Sequence, residues 1–174
     1  MDDETFPDVR WGRDPGSLLR RPVTAVIGSR LGAWCIRTLT PIDHRLLSRS
    51  KGRLTIFGPL GVPLLLLTTT GRKSGQRRQI PLMYMREADR LFLVASNFGQ
   101  AHHPAWSSNL LADPNASVTM GGQEIPVVST QLTGPERERI FRKFADYARN
   151  YDAYEGRAGR DIRVFELIRR LDSA

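Results

Sequence analysis

Short apolar runs alternate with turns marked by glycine or proline over most of the chain. The uninterrupted run Leu64-Leu65-Leu66-Leu67 passes into threonines and predicts a buried strand over 64–70. Gly71–Gln76 reads as a turn with a glycine near each end, and Gln79–Met85 as the returning strand. Pro81 places that strand at a sheet edge or a bulge, because proline donates nothing to a ladder. Thr55–Phe57 begins an earlier strand, Arg86–Arg90 is a polar turn, and Leu91–Ala95 is a further strand. Ala116–Met120 and Ile125–Gln131 flank Gly121-Gly122, a hairpin signal, and Arg163–Ile168 reads as the closing strand.

The period becomes helical in three places. Val23, Ile27, Leu31, Trp34, Cys35, Leu39 and Ile42 mark one stripe, with Arg30 and Arg37 on another face. Pro104-Ala105-Trp106 opens a short helix running through Leu111, with proline in the first turn where its missing N–H costs nothing. Thr133-Gly134-Pro135-Glu136 forms a capping-box pattern ahead of Ile140, Phe141, Phe144, Ala145 and Ala148. Strands joined mainly by hairpins, with few helices between them, predict a mainly β, α+β fold: an antiparallel sheet curled into a small barrel. The expected organisation is a disordered polar tail over 1–16, an amphipathic helical arm over 17–53 and a barrel domain over 54–174. The basic arm either packs on its own domain or rests on a bilayer surface.

The 174 residues are 40% hydrophobic, enough for one cored domain, and carry a formal charge of +8. Residues 61–90 hold 6 basic and 2 acidic residues, whereas 91–135 hold no Lys or Arg at all. A nucleic-acid groove usually draws cations from several elements. A single dense cluster free of acids, at 72–78, suits one compact anion better and argues against a nucleic-acid partner. The lone Cys35 excludes an internal disulfide, and the acidic start MDDETFPDVR lacks the basic region of a secretory signal. With no apolar run of about 18 residues, the expectation is a cytoplasmic protein, peripheral at the inner face of the cell membrane if the arm binds lipid.

Three places carry candidate chemistry. In TTTGRKSGQRR, a glycine-flanked loop offers backbone N–H groups, Lys73 and the arginines add charge, and Ser74 adds a hydroxyl, as in a phosphate clamp. The alternative is a solvated basic hairpin tip. In Val94–Trp106, Ser96, Asn97 and Gly99 stand near an aromatic ring, which suits a flat heterocycle; the alternative is a helix lead-in with Trp106 as a core anchor. The adjacent His102 and His103 point apart in extended chain and lack further ligands, so no metal is expected. Tyr147, Tyr151 and Tyr154 share one helical face if the helix continues, as packing residues or as groups near a pocket.

Together, LLLLTTTGRKSGQRRQIPLMYM and LFLVASNFGQAHHPAWSSNLLADPNASV resemble the deazaflavin-dependent nitroreductase family of actinobacteria, from about Leu54 to about Glu166. The resemblance implies a split β-barrel of the FMN-binding type that binds coenzyme F-420, an 8-hydroxy-5-deazaflavin with a phosphodiester and an oligoglutamate tail. It assigns Lys73, Ser74 and Arg78 to the phosphate, framed by Arg72 and Gly75. It assigns Pro81, Val94, Ser96, Asn97, Trp106 and Asn109 to the deazaflavin, and Tyr147, Tyr151, Tyr154 and Met83 to the acceptor side. The implied reaction is hydride transfer to a quinone, an enone or lactone, or a nitroaromatic, with Ser96 or Tyr151 as donor to the acceptor. The family's nitroreductases carry tyrosine where Met83 stands and lysine where Asn97 stands, so cofactor binding carries over more firmly than any one acceptor. Alternatives on the same fold are a non-catalytic carrier of fatty acids or cofactor and an FMN-dependent oxidoreductase. Barrels of this class also pair as homodimers.

Overall fold

The computed structural model describes residues 5–7, 9, 49–50, 62–147 and 159–170. The expected strand at 55–57, Cys35, Tyr151, Tyr154 and nearly all of the 17–53 arm lie outside the described residues. Seven strands run β1 (Leu64–Thr70), β2 (Arg77–Met83), β3 (Met85–Glu87), β4 (Arg90–Val94), β5 (Asn115–Met120), β6 (Gln123–Leu132) and β7 (Val164–Arg169). Among the described residues, the α-helices α1 (Ala105–Ala112) and α2 (Gly134–Tyr147) and a 3-10 turn at Asn97–Gly99 accompany them.

All pairings are antiparallel, in the order β2-β1-β5-β6-β7-β4-β3. The two edge strands, β2 and β3, are separated in sequence only by Tyr84. Met83 and Met85 therefore lie within about 7 Å of each other, the reach of two peptide units. The sheet must curl until its edges meet at Tyr84, which is how a meander of hairpins becomes a barrel. Pro81 sits on β2 opposite Leu66, at an edge, as its missing N–H requires. Gly121 and Gly122, both at positive φ, turn β5 into β6.

Alternation along the strands divides two cores. Leu65, Leu67, Tyr84, Leu91, Leu93, Val118, Met120, Val127, Phe165 and Leu167 fill the barrel. Phe92, Val94 and Val164 point the other way, under Ile140, Phe141 and Phe144 of α2. A strand covered on both faces cannot alternate, which is why β4 reads as LFLV and β1 as LLLL. Truncating Phe141 or Phe144 to alanine costs about 3–5 kcal/mol on this basis.

Two local expectations change. Phe6, in the segment expected to be disordered, is 2% exposed inside the barrel. Arg86 donates to the Phe6 carbonyl at 2.7 Å and Arg169 to that of Thr5 at 3.3 Å, so an apolar anchor and two guanidinium bonds offset the ordering cost. The capping box at Thr133 does not close through Glu136. That carboxylate instead accepts from Arg139 Nε and Nη2, at 2.8 and 2.7 Å, a bidentate charged contact.

Arg139 also grips Glu87 of β3 at 2.8 and 2.9 Å, and Lys143 pairs with the same carboxylate. Arg90 extends the network to Glu166 at 2.8 Å. Hydrogen bonds from Arg139 and then Lys143 hold the Glu87 carboxyl down to about 2, from 4.5. A carboxyl whose pKa is lower when folded contributes stability above its unfolded value, and that stability drains as pH falls from about 4.5 toward 2. Glu87→Gln should lower the melting temperature at pH 7 and flatten its decline below pH 4.5, read by thermal unfolding across pH; an unchanged acid limb would remove Glu87 from this role.

Candidate functional site

The β1–β2 connection closes on itself. Gly71 N–H donates to the Gln76 carbonyl at 2.8 Å, and the Ser74 and Gly75 N–H groups donate to the Gly71 carbonyl at 3.0 and 2.7 Å. Gln76 N–H reaches Ser74 Oγ at 3.4 Å, and Arg72 N–H reaches Asn109 Oδ1 at 3.1 Å. Lys73 contributes the one N–H between 71 and 76 without a partner. The expectation of a backbone cradle is thus not met, because so tight a turn satisfies its own amides. Anion binding here falls to side chains. The Ser74 hydroxyl accepts one bond and keeps its proton to donate. Gly75 takes the left-handed φ of +66° that the turn needs. A Cβ on Gly71 would stand 2.7 Å from Ser74 Oγ and 3.5 Å from Arg78 Cγ, so the missing methyl lets both side chains close over the turn.

The four cations are not equivalent. Arg77 is paired with Glu124, which also accepts from Ser117 Oγ at 2.6 Å. Arg72, Lys73 and Arg78 are exposed and face no carboxylate among the described residues; Arg78 touches only Gln76 Oε1, at 3.2 Å. Three uncompensated charges therefore stand on this turn among the described residues.

Asn109 ties this turn to the second motif. It lies 6% exposed on α1, donates from Nδ2 to Thr69 Oγ1 at 3.0 Å and accepts from Arg72 N–H. Its amide is thus engaged within the protein, between β1, the turn and the helix that ends the Val94–Trp106 segment. Trp106 is 5% exposed, packed in the barrel core with its ring tilted on Phe165 at 5.6 Å.

The loop before α1 is held from outside. Ser96 is half-buried, and its hydroxyl has no partner among the described residues. Asn97 adopts φ +47°, and its Nδ2 donates to the His102 carbonyl at 3.0 Å. Met83 and Val94 meet in the cluster under α2, and alternation puts Pro81 on the same outer face as Met83. Tyr147 ends α2 and lines a cavity of about 640 Å³ with Tyr84, Met85 and Arg86. None of the turn residues borders that cavity, so this cavity and the cationic turn are separate places.

Sequence reasoning missed Arg160 and Arg163. Residues 91–135 carry no cation of their own, and these two supply it from the segment leading into β7. Arg163 reaches Ser107 and Ser108 Oγ at 3.4 Å. Arg160 meets His103 Nδ1 at 3.0 Å. Burial, followed by the nearby Arg163 and Arg160, pushes the His103 pKa down from its usual value, favouring the neutral ring. Among the described residues no three His, Cys, Asp or Glu side chains gather as a metal site.

Fold and site define a small antiparallel barrel with one cationic turn, tied through Asn109 to the helix that follows a polar loop. Residues 42–168 match the family model described as F420H(2)-dependent quinone reductase, and the chain belongs to that family. It is 34% identical over 124 residues to an F420H(2)-dependent quinone reductase of Mycobacterium tuberculosis, covering 70% of this chain and 83% of the relative. A solved structure described as an F420-H2 dependent reductase is 37% identical, with TM-score 0.55, covering 60% of this chain and 93% of that one. Another, described as a domain-swapped dimer, is 32% identical with TM-score 0.57, covering 78% and 98%. The chain is accordingly an oxidoreductase that uses coenzyme F-420.

Removing the buried amide tests the coupling. Asn109→Ala leaves Thr69 Oγ1 and the Arg72 N–H without their partner, and should lower unfolding free energy by about 1–3 kcal/mol in urea titration. A change within error of zero would mean that water replaces the bridge without cost.

Proposed function

We propose that this chain passes hydride from reduced coenzyme F-420 to a quinone, with the coenzyme's anionic tail gripped by the 71–78 turn. The observation that carries this is the unequal state of the turn's cations: Arg72, Lys73 and Arg78 face no carboxylate among the described residues, whereas Arg77 is neutralised by Glu124. Bound there, the deazaflavin supplies two electrons as hydride, since carbon replaces the flavin nitrogen at position 5.

The chain's own residues bind and orient. Lys73, Arg78 and the Ser74 hydroxyl hold the phosphate, and Arg72 adds charge toward the glutamates. Asn109 fixes the turn relative to α1. Pro81 and Met83 are assigned to the apolar wall with the buried Val94 behind them, and the Asn97 amide oxygen is assigned as an acceptor toward the ring. The free Ser96 hydroxyl donates to the acceptor oxygen as negative charge gathers there, with Tyr151 as the second donor. The family resemblance assigns Tyr147, and Tyr154 outside the described residues, to the acceptor side. Met83 in place of tyrosine removes a phenol from that side, which favours a quinone over a nitroaromatic substrate.

Coenzyme fluorescence quenching tests the clamp. Lys73→Ala with Arg78→Ala should weaken binding by roughly tenfold or more, while Arg77→Ala, whose charge is already paired, changes it less. Wild type should oxidise reduced coenzyme when menadione is present. Equal affinity of wild type and the double variant would remove the clamp, and no menadione-dependent oxidation would favour a carrier.

The relative described as a domain-swapped dimer supports a paired form for this chain as well. The basic face of the N-terminal arm, which lies outside the described residues, fits a peripheral contact with anionic lipid, where quinones reside. Among the described residues no helix is long and apolar enough to cross a membrane. Because Phe6 of the preceding tail belongs to the core, deleting the whole N-terminal region would confound a test. Arg30→Glu with Arg37→Glu should instead abolish co-sedimentation with anionic vesicles at low salt; binding equal to wild type would place the arm elsewhere.

A further inference from the structure

We infer that Arg160 is the positioning residue of the 95–103 loop, setting where Ser96 and Asn97 stand. Its guanidinium donates to the carbonyls of Gln100 at 3.1 Å, Ala95 at 3.3 Å, Ser96 at 3.3 Å and its own neighbour Asp161 at 3.3 Å. It also meets His103 Nδ1 at 3.0 Å. One side chain, about 60 positions away in sequence, thus touches both ends and the middle of the loop.

The loop needs such a hub. Asn97 and Gly99 hold positive φ, at 47° and 75°, conformations that persist where the surroundings determine them. Within the loop the supports are few: Gly99 N–H to the Ser96 carbonyl at 3.0 Å, Gln100 N–H to the Asn97 carbonyl at 3.1 Å, and the Asn97 side chain to His102. Each leaves the loop free to move as a unit. Arg160 binds that unit to the end of β4 and, through the chain, to β7, while Ala95 N–H donates to the Arg163 carbonyl at 2.9 Å alongside. The Ser96 carbonyl is anchored twice, so the unpartnered hydroxyl on the same residue projects from a fixed backbone.

The contact with His103 has a spectroscopic consequence. A guanidinium has no lone pair to offer, so His103 Nδ1 is the acceptor, the ring is neutral and the proton sits on Nε2. Facing that ring are Arg163 and Arg160, which disfavour its charged form, and Asp161, which favours it. Lysine at 160 would keep a charge while losing the planar fork that serves several acceptors at once.

The catalytic part of this inference rests on the proposed function; the loop part does not, and the experiment separates them. Full-length wild type, Arg160→Gln and Arg160→Lys are compared by His103 nitrogen NMR, amide exchange and kinetics with reduced coenzyme and menadione. Wild type should show the Nε2–H tautomer alone. Both variants should show mixed tautomers and exchange at Gly99 and Gln100 faster by about tenfold or more. The His103 pKa should rise in Arg160→Gln and less in Arg160→Lys. The rate of hydride transfer should fall about tenfold or more in both, with a smaller loss of coenzyme affinity, because the tail cations are untouched while the Asn97 contact to the ring is displaced. Unchanged tautomer and exchange, full rescue of the rate by lysine, a parallel loss of coenzyme affinity, or failure of both variants to fold would each overturn the assignment. If wild type itself did not turn over, the function reading would fail while the NMR and exchange results still judged the loop.

Discussion

The two ends of one buried side-chain amide, that of Asn109, hold the barrel's first strand, the cationic turn and α1 in a single frame. In water such bonds would contribute little net free energy; buried, they fix geometry because leaving either partner unmet is costly. Everything assigned to the ligand lies on one side or the other of this bridge. The turn's cations stand at the end of β1, and the polar loop with its free hydroxyl leads into α1. A turn that consumes its own amides needs this external tether, since it has only one free N–H with which to recognise an anion.

Charge in this chain divides by compensation rather than by count. Around Glu87, cations and carboxylates close a network that fastens β3 and β4 to α2, and its effect is on stability in acid. Around the 71–78 turn three cations stand without carboxylates among the described residues. A formal charge of +8 says nothing of this difference, since exposed paired charges and exposed unpaired ones count alike. What an anion meets is the unpaired set.

Much of the fold was legible because its signals are local. LLLL followed by threonines, Gly121-Gly122 between alternating runs, and Pro81 at an edge each report on their own backbone. The family pattern through TTTGRKSG and HPAW made the cofactor legible as well. Features that depend on distant partners were not readable. Closure at Tyr84 follows from strand order, which no short window contains. Arg160 lies in an unremarkable polar stretch, and only the pairing of β7 with β4 brings it to the loop. Glu136 satisfied a capping pattern, yet a guanidinium three residues on offered it a stronger contact. Phe6 looked like one apolar residue in a polar tail, and its burial depends on carbonyl acceptors that Arg86 finds across the fold.

The account stands on the claim that the turn, and not the cavity beside Tyr147, receives the coenzyme's anionic tail. A crystal structure of the chain with oxidised coenzyme F-420 measures this directly. The account predicts the phosphodiester within hydrogen-bonding distance of Lys73 Nζ and Ser74 Oγ, with Arg78 alongside and the tricyclic ring toward Ser96. A phosphate seated in the cavity lined by Tyr84 and Arg86, with the turn left to solvent, would contradict it.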